Sequence, residues 1–183
     1  MKIPSTYYVV QVRTRSEEKF LKFATPIVQS MNIKIFWPRR NLRIRKRGKW
    51  KNIDTPIFAG YIFLEVESIS NELYWNLKRL PGFFRFLKNN HNILPLPEKD
   101  ARILNSLLQL GEVVKKSTIT FDKDNRISII EGPLKGLEGC IIKIDRRKGR
   151  AKVRLDLYDQ SHLVDLGFKA LEKADKIDRD RNS

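Results

Sequence analysis

The sequence predicts an α+β protein of two domains, an N-terminal α/β sandwich in which helices flank an antiparallel sheet and a small C-terminal β-barrel. Up to about residue 110, apolar β-prone runs alternate with apolar stripes at helical spacing. A polar stretch with little periodicity follows, and the chain beyond it is rich in Ile, Val and Gly, as in the sharply bent strands of small barrels. We predict domains at 1–110 and 125–173, a linker at 111–124 and a charged tail at 174–183.

The N-terminal domain opens with a strand pattern and a helix pattern. Residues 7–12 read Tyr-Tyr-Val-Val-Gln-Val, which predicts a central strand because nearly every position is apolar or β-prone. Ser16 is a candidate helix cap. An apolar stripe at spacings of three and four follows it, formed by Phe20, Phe23, Ala24, Ile27 and Val28.

The rest of this domain is predicted to contain three strands, two helices and one exposed basic segment. The strands are expected at 33–38, 55–66 and 83–87, the helices at 71–80 and 97–110, and an exposed hairpin or loop at 39–51. From Lys34 to Lys51 there are nine basic residues and no acidic one. The sequence therefore predicts a strongly electropositive projection.

The barrel is predicted chiefly from residues 126–144. An extended β-branched run ends at Gly132-Pro133, and two further glycines permit backbone conformations that a Cβ disfavours. This pattern predicts a strand, a glycine-marked turn and a second strand. A glycine-rich hairpin in any small β-barrel would read in the same way.

Composition excludes several classes of protein. No apolar run reaches the length of a membrane span and no signal-peptide core follows Met1, so we expect a cytoplasmic protein. The single cysteine excludes an internal disulfide framework. His91 and His162 lack neighbouring ligands at metal-binding spacing, and Ser161, His162 and Asp165 are too close in one predicted strand to form a hydrolase triad. We expect no enzyme activity, metal or cofactor.

The charge distribution favours a polyanionic partner. The formal net charge is +16, and basic residues near phosphate release condensed counterions. Residues 1–110 carry 20 Lys and Arg against 8 Asp and Glu, whereas residues 111–183 carry 17 against 13. The nucleic-acid hypothesis therefore concerns mainly the N-terminal domain. An A·T-rich genome or a thermophilic surface would also produce a Lys-rich and Ile-rich composition.

Short blocks carry a more specific pattern. They are Tyr-Val-Val-Gln at 8–11 with Glu18-Lys19, Phe-Trp-Pro at 36–38, Arg-Gly-Lys at 47–49, Phe-Ala-Gly-Tyr-Ile-Phe at 58–63, Leu-Pro-Gly at 80–82 and Glu-Gly-Pro-Leu-Lys-Gly at 131–136. In this order, over about residues 7–172, the chain resembles the NusG family, whose members join an NGN domain to a KOW domain. Ala59 replaces the family's usual proline. The excess of basic charge points to a specialised paralogue of the LoaP or RfaH-like antiterminator type.

The resemblance implies a fold and a function. The fold would be an NGN-like sandwich followed by a five-stranded, SH3-like KOW barrel. The function would be transcription elongation and antitermination, in which an apolar depression of the NGN domain binds the clamp helices of RNA polymerase and suppresses pausing and termination. The candidates for that depression are Tyr61, Phe63, Phe84 and Phe86. Alternatively, Tyr61 and Phe63 only fill the core of the domain.

Two basic surfaces are candidates for binding an RNA hairpin, single-stranded DNA or both. The first comprises Arg13, Arg15, Lys19, Lys22, Lys78 and Arg79, and the second comprises Arg43, Arg45, Lys46, Arg47 and Lys49. Guanidinium groups pair bidentately with phosphate or guanine, whereas lysines act mostly as point charges. The second group can also be read as a solvated loop that contacts polymerase or upstream DNA without specificity.

The barrel has a separate expected role. By resemblance, KOW domains recruit a ribosomal protein or a termination factor through exposed apolar residues, for which Leu134, Leu137 and Phe168 are candidates unless they form the barrel core. The second hypothesis for the whole chain is a basic KOW-containing RNA-binding or ribosome-associated protein without a polymerase role. The many β-branched residues predict a stable barrel rather than a helical hairpin.

Overall fold

The computed structural model describes residues 6–87, 92–124 and 126–171, so His91 and the predicted tail at 174–183 lie outside the described residues. The first part contains β1 (Tyr7–Val12), α1 (Glu17–Ser30), β2 (Lys34–Phe36), β3 (Arg39–Lys46), β4 (Lys49–Pro56), β5 (Tyr61–Glu65), α2 (Asn71–Lys78), β6 (Phe83–Phe86) and α3 (Glu98–Leu108). It is followed by β7 (Val113–Val114), β8 (Ser117–Phe121), β9 (Ile127–Glu131), β10 (Ile141–Asp145), β11 (Arg150–Leu157) and β12 (Gln160–Ala170). The α+β class is confirmed.

The N-terminal sheet has four antiparallel strands in the order β2-β5-β1-β6. Both of its faces are covered, which explains why β1 is almost uninterruptedly apolar. On one face, Val10 and Ile62 pack with the buried stripes of α1 and α2. On the other face, Val9 and Phe63 belong to a second core that includes Leu104 of α3.

The first two helices differ in how they begin. Ser70 caps α2, because its Oγ accepts a hydrogen bond from the backbone N–H of Leu73 at 3.1 Å. The side chain of Ser16, by contrast, makes no capping hydrogen bond at the start of α1. Of the apolar stripe predicted for α1, Phe20, Ala24 and Val28 are buried, but Phe23 is 44% exposed, so the prediction is wrong for Phe23.

The basic segment after β2 is a regular hairpin of β3 and β4, closed by Arg47 and Gly48. Both turn residues have positive φ, of 50° and 78°. This is the geometry of a two-residue type I′ hairpin turn, whose twist matches that of the flanking strands. The hairpin therefore projects as an ordered ribbon rather than as an irregular loop.

Residues 111–124, which the sequence predicts as a linker, contain two strands. β7 pairs in parallel with the base of β3, and β8 pairs in parallel with β12. β8 thereby completes a five-stranded sheet in the order β10-β11-β12-β8-β9. The C-terminal β domain, called the barrel below, therefore begins at about residue 117, earlier than the sequence predicts.

Gly132 is required by close packing inside the barrel. Its φ is +96°, and a Cβ added there would lie 2.6 Å from the Cα of Ser117. Ser117 also accepts a hydrogen bond at Oγ from the backbone N–H of Leu134 at 2.9 Å. The glycine-marked turn is thus fixed against β8.

The barrel is docked on the N-terminal domain. The buried carboxylate of Asp100 in α3 accepts a hydrogen bond from the backbone N–H of Tyr158 at 2.7 Å. The hydroxyl of Tyr158 donates to the carbonyl of Leu94 at 2.7 Å, and burial raises its pKa. Lys99 and Asp159 add an exposed ion pair at 2.9 Å. The two domains share one apolar core.

No helix among the described residues is both long enough and apolar enough to cross a lipid bilayer.

Candidate functional site

The loop before β5 places an aromatic side chain at the domain boundary. Gly60 has a φ of +80°, and a Cβ added there would lie 3.0 Å from the carbonyl oxygen of Val12. Its backbone N–H donates to the carboxylate of Glu17 at 2.8 Å, and Glu17 is only 3% exposed. The loop is therefore held by a buried, charge-assisted hydrogen bond, and it fixes Tyr61 as the first residue of β5.

His162 of the barrel covers this aromatic position. Its ring centroid lies 5.3 Å from that of Tyr61 and 5.6 Å from that of Phe58, with interplanar angles of 86° and 89°. Phe58 in turn packs edge-to-face on Phe63 at 5.8 Å. We call Phe58, Tyr61 and Phe63 the aromatic face. In this arrangement it contacts the barrel.

The environment of His162 favours the neutral imidazole. Burial lowers its pKa, and the negative charge of Asp156 partly opposes that effect. Its Nε2 is buried without a hydrogen-bond partner. Burial also raises the pKa of Tyr61, against the charge of Arg85. Protonating His162 would place a charge between two aromatic edges and destabilise the docked arrangement.

The four residues predicted to line one apolar depression do not lie together. Tyr61 and Phe63 belong to the core that the barrel shares, and Phe63 is fully buried. Phe86 is also fully buried, but on the opposite face of the sheet, where it stacks on Tyr74. Phe84 is 59% exposed. Only Tyr61 and Phe63 therefore share one face.

An irregularity in the sheet separates Phe84 from Phe86. The pairing register of β1 and β6 shifts between Gln11 and Val12, so the simple alternation of side chains is broken there. Arg85 donates from Nε to the side-chain oxygen of Gln11 at 2.8 Å, and its guanidinium lies 5.6 Å from the ring of Phe84. Phe84 is an exposed aromatic side chain beside a cation.

The first basic surface is formed at the ends of β1 and α2 and along α1. All six of its predicted residues are exposed: Arg13, Arg15, Lys19, Lys22, Lys78 and Arg79. The backbone N–H of Arg13 donates to the carbonyl of Gly82 at 2.8 Å, which joins the loop after β1 to the loop after α2. A shallow groove brings Arg15, Lys19 and Lys22 together. We call this group the helix surface.

The second basic surface follows the β3–β4 hairpin, and its five predicted residues are likewise exposed: Arg43, Arg45, Lys46, Arg47 and Lys49. The guanidinium of Arg43 lies over the ring of Trp50, 4.8 Å from its centroid. Trp50 is 42% exposed. The hairpin therefore offers a base-stacking side chain as well as charge, and the sequence prediction did not include Trp50.

The barrel residues predicted to bind a partner are core residues in this structure. Leu134, Leu137 and Phe168 are all buried, and they pack with the strands of the barrel. The exposed large apolar side chains of the barrel are others, namely Ile130, Ile142, Leu163 and Leu171. Alternation along the strands could have identified Leu163, because its neighbours Val164 and Leu166 are buried.

Nothing in the described part of the chain forms a catalytic or metal-binding cluster. No group of three His, Cys, Asp or Glu residues has the geometry of a metal site there. Ser161 donates to Asp156 at 2.6 Å, and Asp165 pairs with Lys152 and Arg150. What the geometry offers is binding: an aromatic face and two cationic surfaces.

Comparison with known proteins gives a consistent result. Residues 5–105 match the model of the NusG family, described as transcription termination factor nusG. The chain is 23% identical over 172 residues to the transcription termination/antitermination protein NusG of Campylobacter jejuni, over 91% of this chain and 96% of the relative. For the Bacillus subtilis protein of the same name, identity is 25% over 173 residues, with 91% and 97% covered.

The Buchnera aphidicola protein of that name is 29% identical over 132 residues, which cover 70% of this chain and 71% of the relative. Among solved structures, one titled "Domain interaction in Thermotoga maritima NusG" aligns with a TM-score of 0.56 and 24% identity, over 89% of this chain and 93% of that chain. This last similarity concerns the fold.

Proposed function

We propose that this chain, which belongs to the NusG family of non-enzymatic transcription factors, binds RNA polymerase through the aromatic face. In this proposal it promotes elongation and antitermination. Its relatives are named transcription termination/antitermination proteins, and on that basis the chain is a transcription elongation and termination factor. Polymerase binding, antitermination and a specialised paralogous role are our proposal. We place the protein in the cytoplasm with the polymerase.

The position of Tyr61 carries the proposal. Its face of the sheet is not the one that α1 and α2 cover. In this arrangement Tyr61 is only 8% exposed, and the ring nearest to it in the other domain is that of His162. If the barrel moved away, an apolar aromatic face would be exposed to solvent, and such a face is suited to packing against helices of a protein partner.

The docked barrel and the proposed partner compete for the same face. Polymerase can pack on Tyr61 only after His162 has left it, so binding includes the cost of separating the two domains. Phe84 and Arg85 remain accessible beside this face and supply a first point of contact. The state described here is therefore the closed state of the factor in our proposal.

The basic surfaces support a nucleic-acid contribution. Exposed Arg and Lys residues on the helix surface and the hairpin are positioned to contact an RNA hairpin or exposed DNA strand at a transcribing polymerase. For the barrel we propose recruitment of a ribosomal protein or a termination factor. Leu163 and Ile142 are more suitable contacts for it than the buried Leu134, Leu137 and Phe168.

Affinity capture of core RNA polymerase by the full chain tests the proposal. Tyr61→Ala should reduce the retained polymerase at least about tenfold, whereas Phe23→Ala, which removes an exposed aromatic ring on α1, should leave it unchanged. Equal capture by both variants and the wild type would reject the aromatic face. If no variant or wild type captures polymerase while RNA is bound, the RNA-binding alternative without a polymerase role is favoured.

A further inference from the structure

One face of the β3–β4 hairpin combines arginines with an aromatic ring. In an antiparallel pair, cross-strand partners point to the same side, and successive residues of a strand point to opposite sides. Arg45 pairs with Trp50, and Arg43 pairs with Asn52. These four side chains therefore share one face of the hairpin, which we call the tryptophan face.

The tryptophan face is arranged as a stacking surface. The guanidinium of Arg43 lies over the indole ring of Trp50, 4.8 Å from its centroid, and Trp50 remains 42% exposed. Arg45 donates from Nε to the carbonyl of Gly48 at 3.2 Å, which ties its side chain to the turn. Indole rings and guanidinium planes stack on unpaired bases, whereas a duplex keeps its bases within its own stack. This face is therefore suited to an unpaired base.

The opposite face of the hairpin carries lysines, and we call it the lysine face. Lys46 pairs with Lys49 next to the turn, and Lys51 follows on the same side. Two like charges directly opposite each other destabilise a strand pair. No salt bridge among the described residues includes Lys46, Lys49 or Lys51. A phosphate bound between the opposed ammonium groups would relieve their repulsion.

Contacts from the barrel hold the hairpin in place. The guanidinium of Arg150 donates to the backbone carbonyl of Arg43. The Nζ of Lys116 donates to the side-chain oxygen of Asn52 at 3.3 Å. Both contacts fix residues of the tryptophan face, and groups that are fixed before binding lose less conformational entropy when a ligand arrives. The barrel therefore preorganises this face without having to contact the ligand.

We infer that the hairpin binds single-stranded nucleic acid with its two faces in separate roles. The tryptophan face stacks on an unpaired base, and the lysine face binds phosphate groups whatever the bases are. One strand reaches both faces by crossing the turn, because the pairs Arg45–Trp50 and Lys46–Lys49 are neighbouring rungs of the same ladder.

Trp50 is thus the residue that distinguishes unpaired bases from a duplex, while the lysines supply affinity that depends on salt. The inference rests on the nucleic-acid part of the proposed function and deepens it. It names an unpaired strand as the ligand of the hairpin and assigns the residue that recognises it.

Fluorescence anisotropy on the full chain tests the inference with probes that separate bases from phosphates. The probes are a 15-nucleotide single-stranded RNA, the DNA of the same sequence, an abasic strand with the same number of phosphates, and a duplex. The wild type should bind the RNA or the DNA strand at least about tenfold more tightly than the abasic strand. The RNA and DNA arms identify the preferred sugar.

Trp50→Ala should weaken binding of the base-containing strand about tenfold and change binding of the abasic strand and the duplex less than about twofold. Its slope of log K against log salt should remain that of the wild type, because no charge is removed. Trp50→Phe, which keeps a ring, should retain most of the affinity. Phe23→Ala is the matched control, since Phe23 is 44% exposed but lies on α1. It should bind every probe as the wild type does.

Lys46→Ala/Lys49→Ala should weaken the binding of all four probes. For single strands it should lower the salt slope by about 1.4, since a single strand contributes about 0.7 for each phosphate neutralised. The ratio of the affinities for the base-containing and abasic strands should stay that of the wild type. Circular dichroism and thermal unfolding confirm that each variant is folded.

Tryptophan emission gives a second readout, because a base stacked on an indole ring quenches it. Trp50→Phe should lose most of the quenching that the wild type shows on binding, although its affinity is retained. Quenching that persists in this variant would overturn the assignment of Trp50. Equal affinity of the wild type for the base-containing and abasic strands would overturn the stacking role.

Two further outcomes decide between this inference and its alternatives. If polyglutamate displaces the strand as effectively as an unlabelled strand of equal charge, the hairpin is a surface for an acidic protein and the inference is overturned. If the wild type binds the strands and Trp50→Ala binds them equally well, the inference fails while the nucleic-acid part of the proposed function stands. A wild type that binds no nucleic acid would overturn both and leave polymerase capture as an independent result.

Discussion

The imidazole of His162 lies edge-on to the phenol ring of Tyr61, with centroids 5.3 Å apart and an interplanar angle of 86°. The two residues belong to different domains and are 101 positions apart in the sequence. Their contact joins the aromatic face of the N-terminal sheet to β12 of the barrel. It therefore decides whether that face is covered or accessible.

The first prediction concerns pH. Because burial lowers the pKa of His162 in the docked state, the undocked state binds more protons between that lowered pKa and the ordinary value near 6.5. Docking is therefore strongest when the pH is above the ordinary pKa of a histidine, and it weakens as the pH falls through that pKa. Small-angle scattering between pH 8 and pH 5 should show a rising radius of gyration.

His162→Phe supplies the control, since phenylalanine retains a ring at this position but has no titratable group. Its scattering profile should be independent of pH over the same range. A wild-type profile that does not change with pH, or a variant that changes equally, would show that His162 does not control docking. The negative charge of Asp156 raises the pKa of His162 and so opposes the effect of burial. Asp156→Asn should therefore lower this pKa further and enlarge the change in radius of gyration with pH.

The second prediction concerns the loop that positions Tyr61. Glu17→Ala removes the acceptor of the buried N–H of Gly60, so the free energy of unfolding of the N-terminal domain should fall by about 1–3 kcal/mol. Glu18→Ala changes the exposed neighbouring carboxylate and should stay within about 0.5 kcal/mol of the wild type. Urea denaturation measures both. Equal effects would mean that the Glu17 bond does not hold the loop.

The third prediction concerns the glycine-marked turn of the barrel. Gly132→Ala introduces a Cβ 2.6 Å from the Cα of Ser117 at a φ of +96°, so it should destabilise the barrel by more than about 2 kcal/mol. Gly139→Ala adds a methyl group with nothing within 4 Å and without a positive φ. It should be nearly neutral. Thermal unfolding separates the two variants, and similar melting temperatures would show that this turn is not packed as described.

Much of the fold could be predicted because local patterns determine it. The almost entirely apolar runs of β1 and β5 require a sheet covered on both faces, and Gly132 in the barrel turn marks a position where a positive φ and close packing both require glycine. The sequence predicts a linker where β8 lies, because that stretch is polar and weakly patterned. Its place in the sheet depends on a distant parallel partner, β12.

The candidate site was harder to predict, because exposure depends on contacts between distant residues. Alternation alone places Phe84 beside Phe86, but the register shift in β1 and β6 separates them. The three partner-binding candidates of the barrel, Leu134, Leu137 and Phe168, are buried. A domain this small needs its large apolar side chains for its core. No local sequence pattern identifies His162 as the residue that covers Tyr61. The basic residues were predictable as exposed, since charge without partners stays in water.

The most direct measurement of the central claim is the affinity of core RNA polymerase for three full-length proteins: the wild type, His162→Glu, and His162→Glu combined with Tyr61→Ala. The account predicts that His162→Glu binds at least about tenfold more tightly than the wild type, since polymerase no longer has to displace the barrel. It predicts that adding Tyr61→Ala removes this gain. Polymerase binding that is unchanged by His162→Glu, or that survives the loss of Tyr61, would contradict the claim that the covered aromatic face is the polymerase-binding surface.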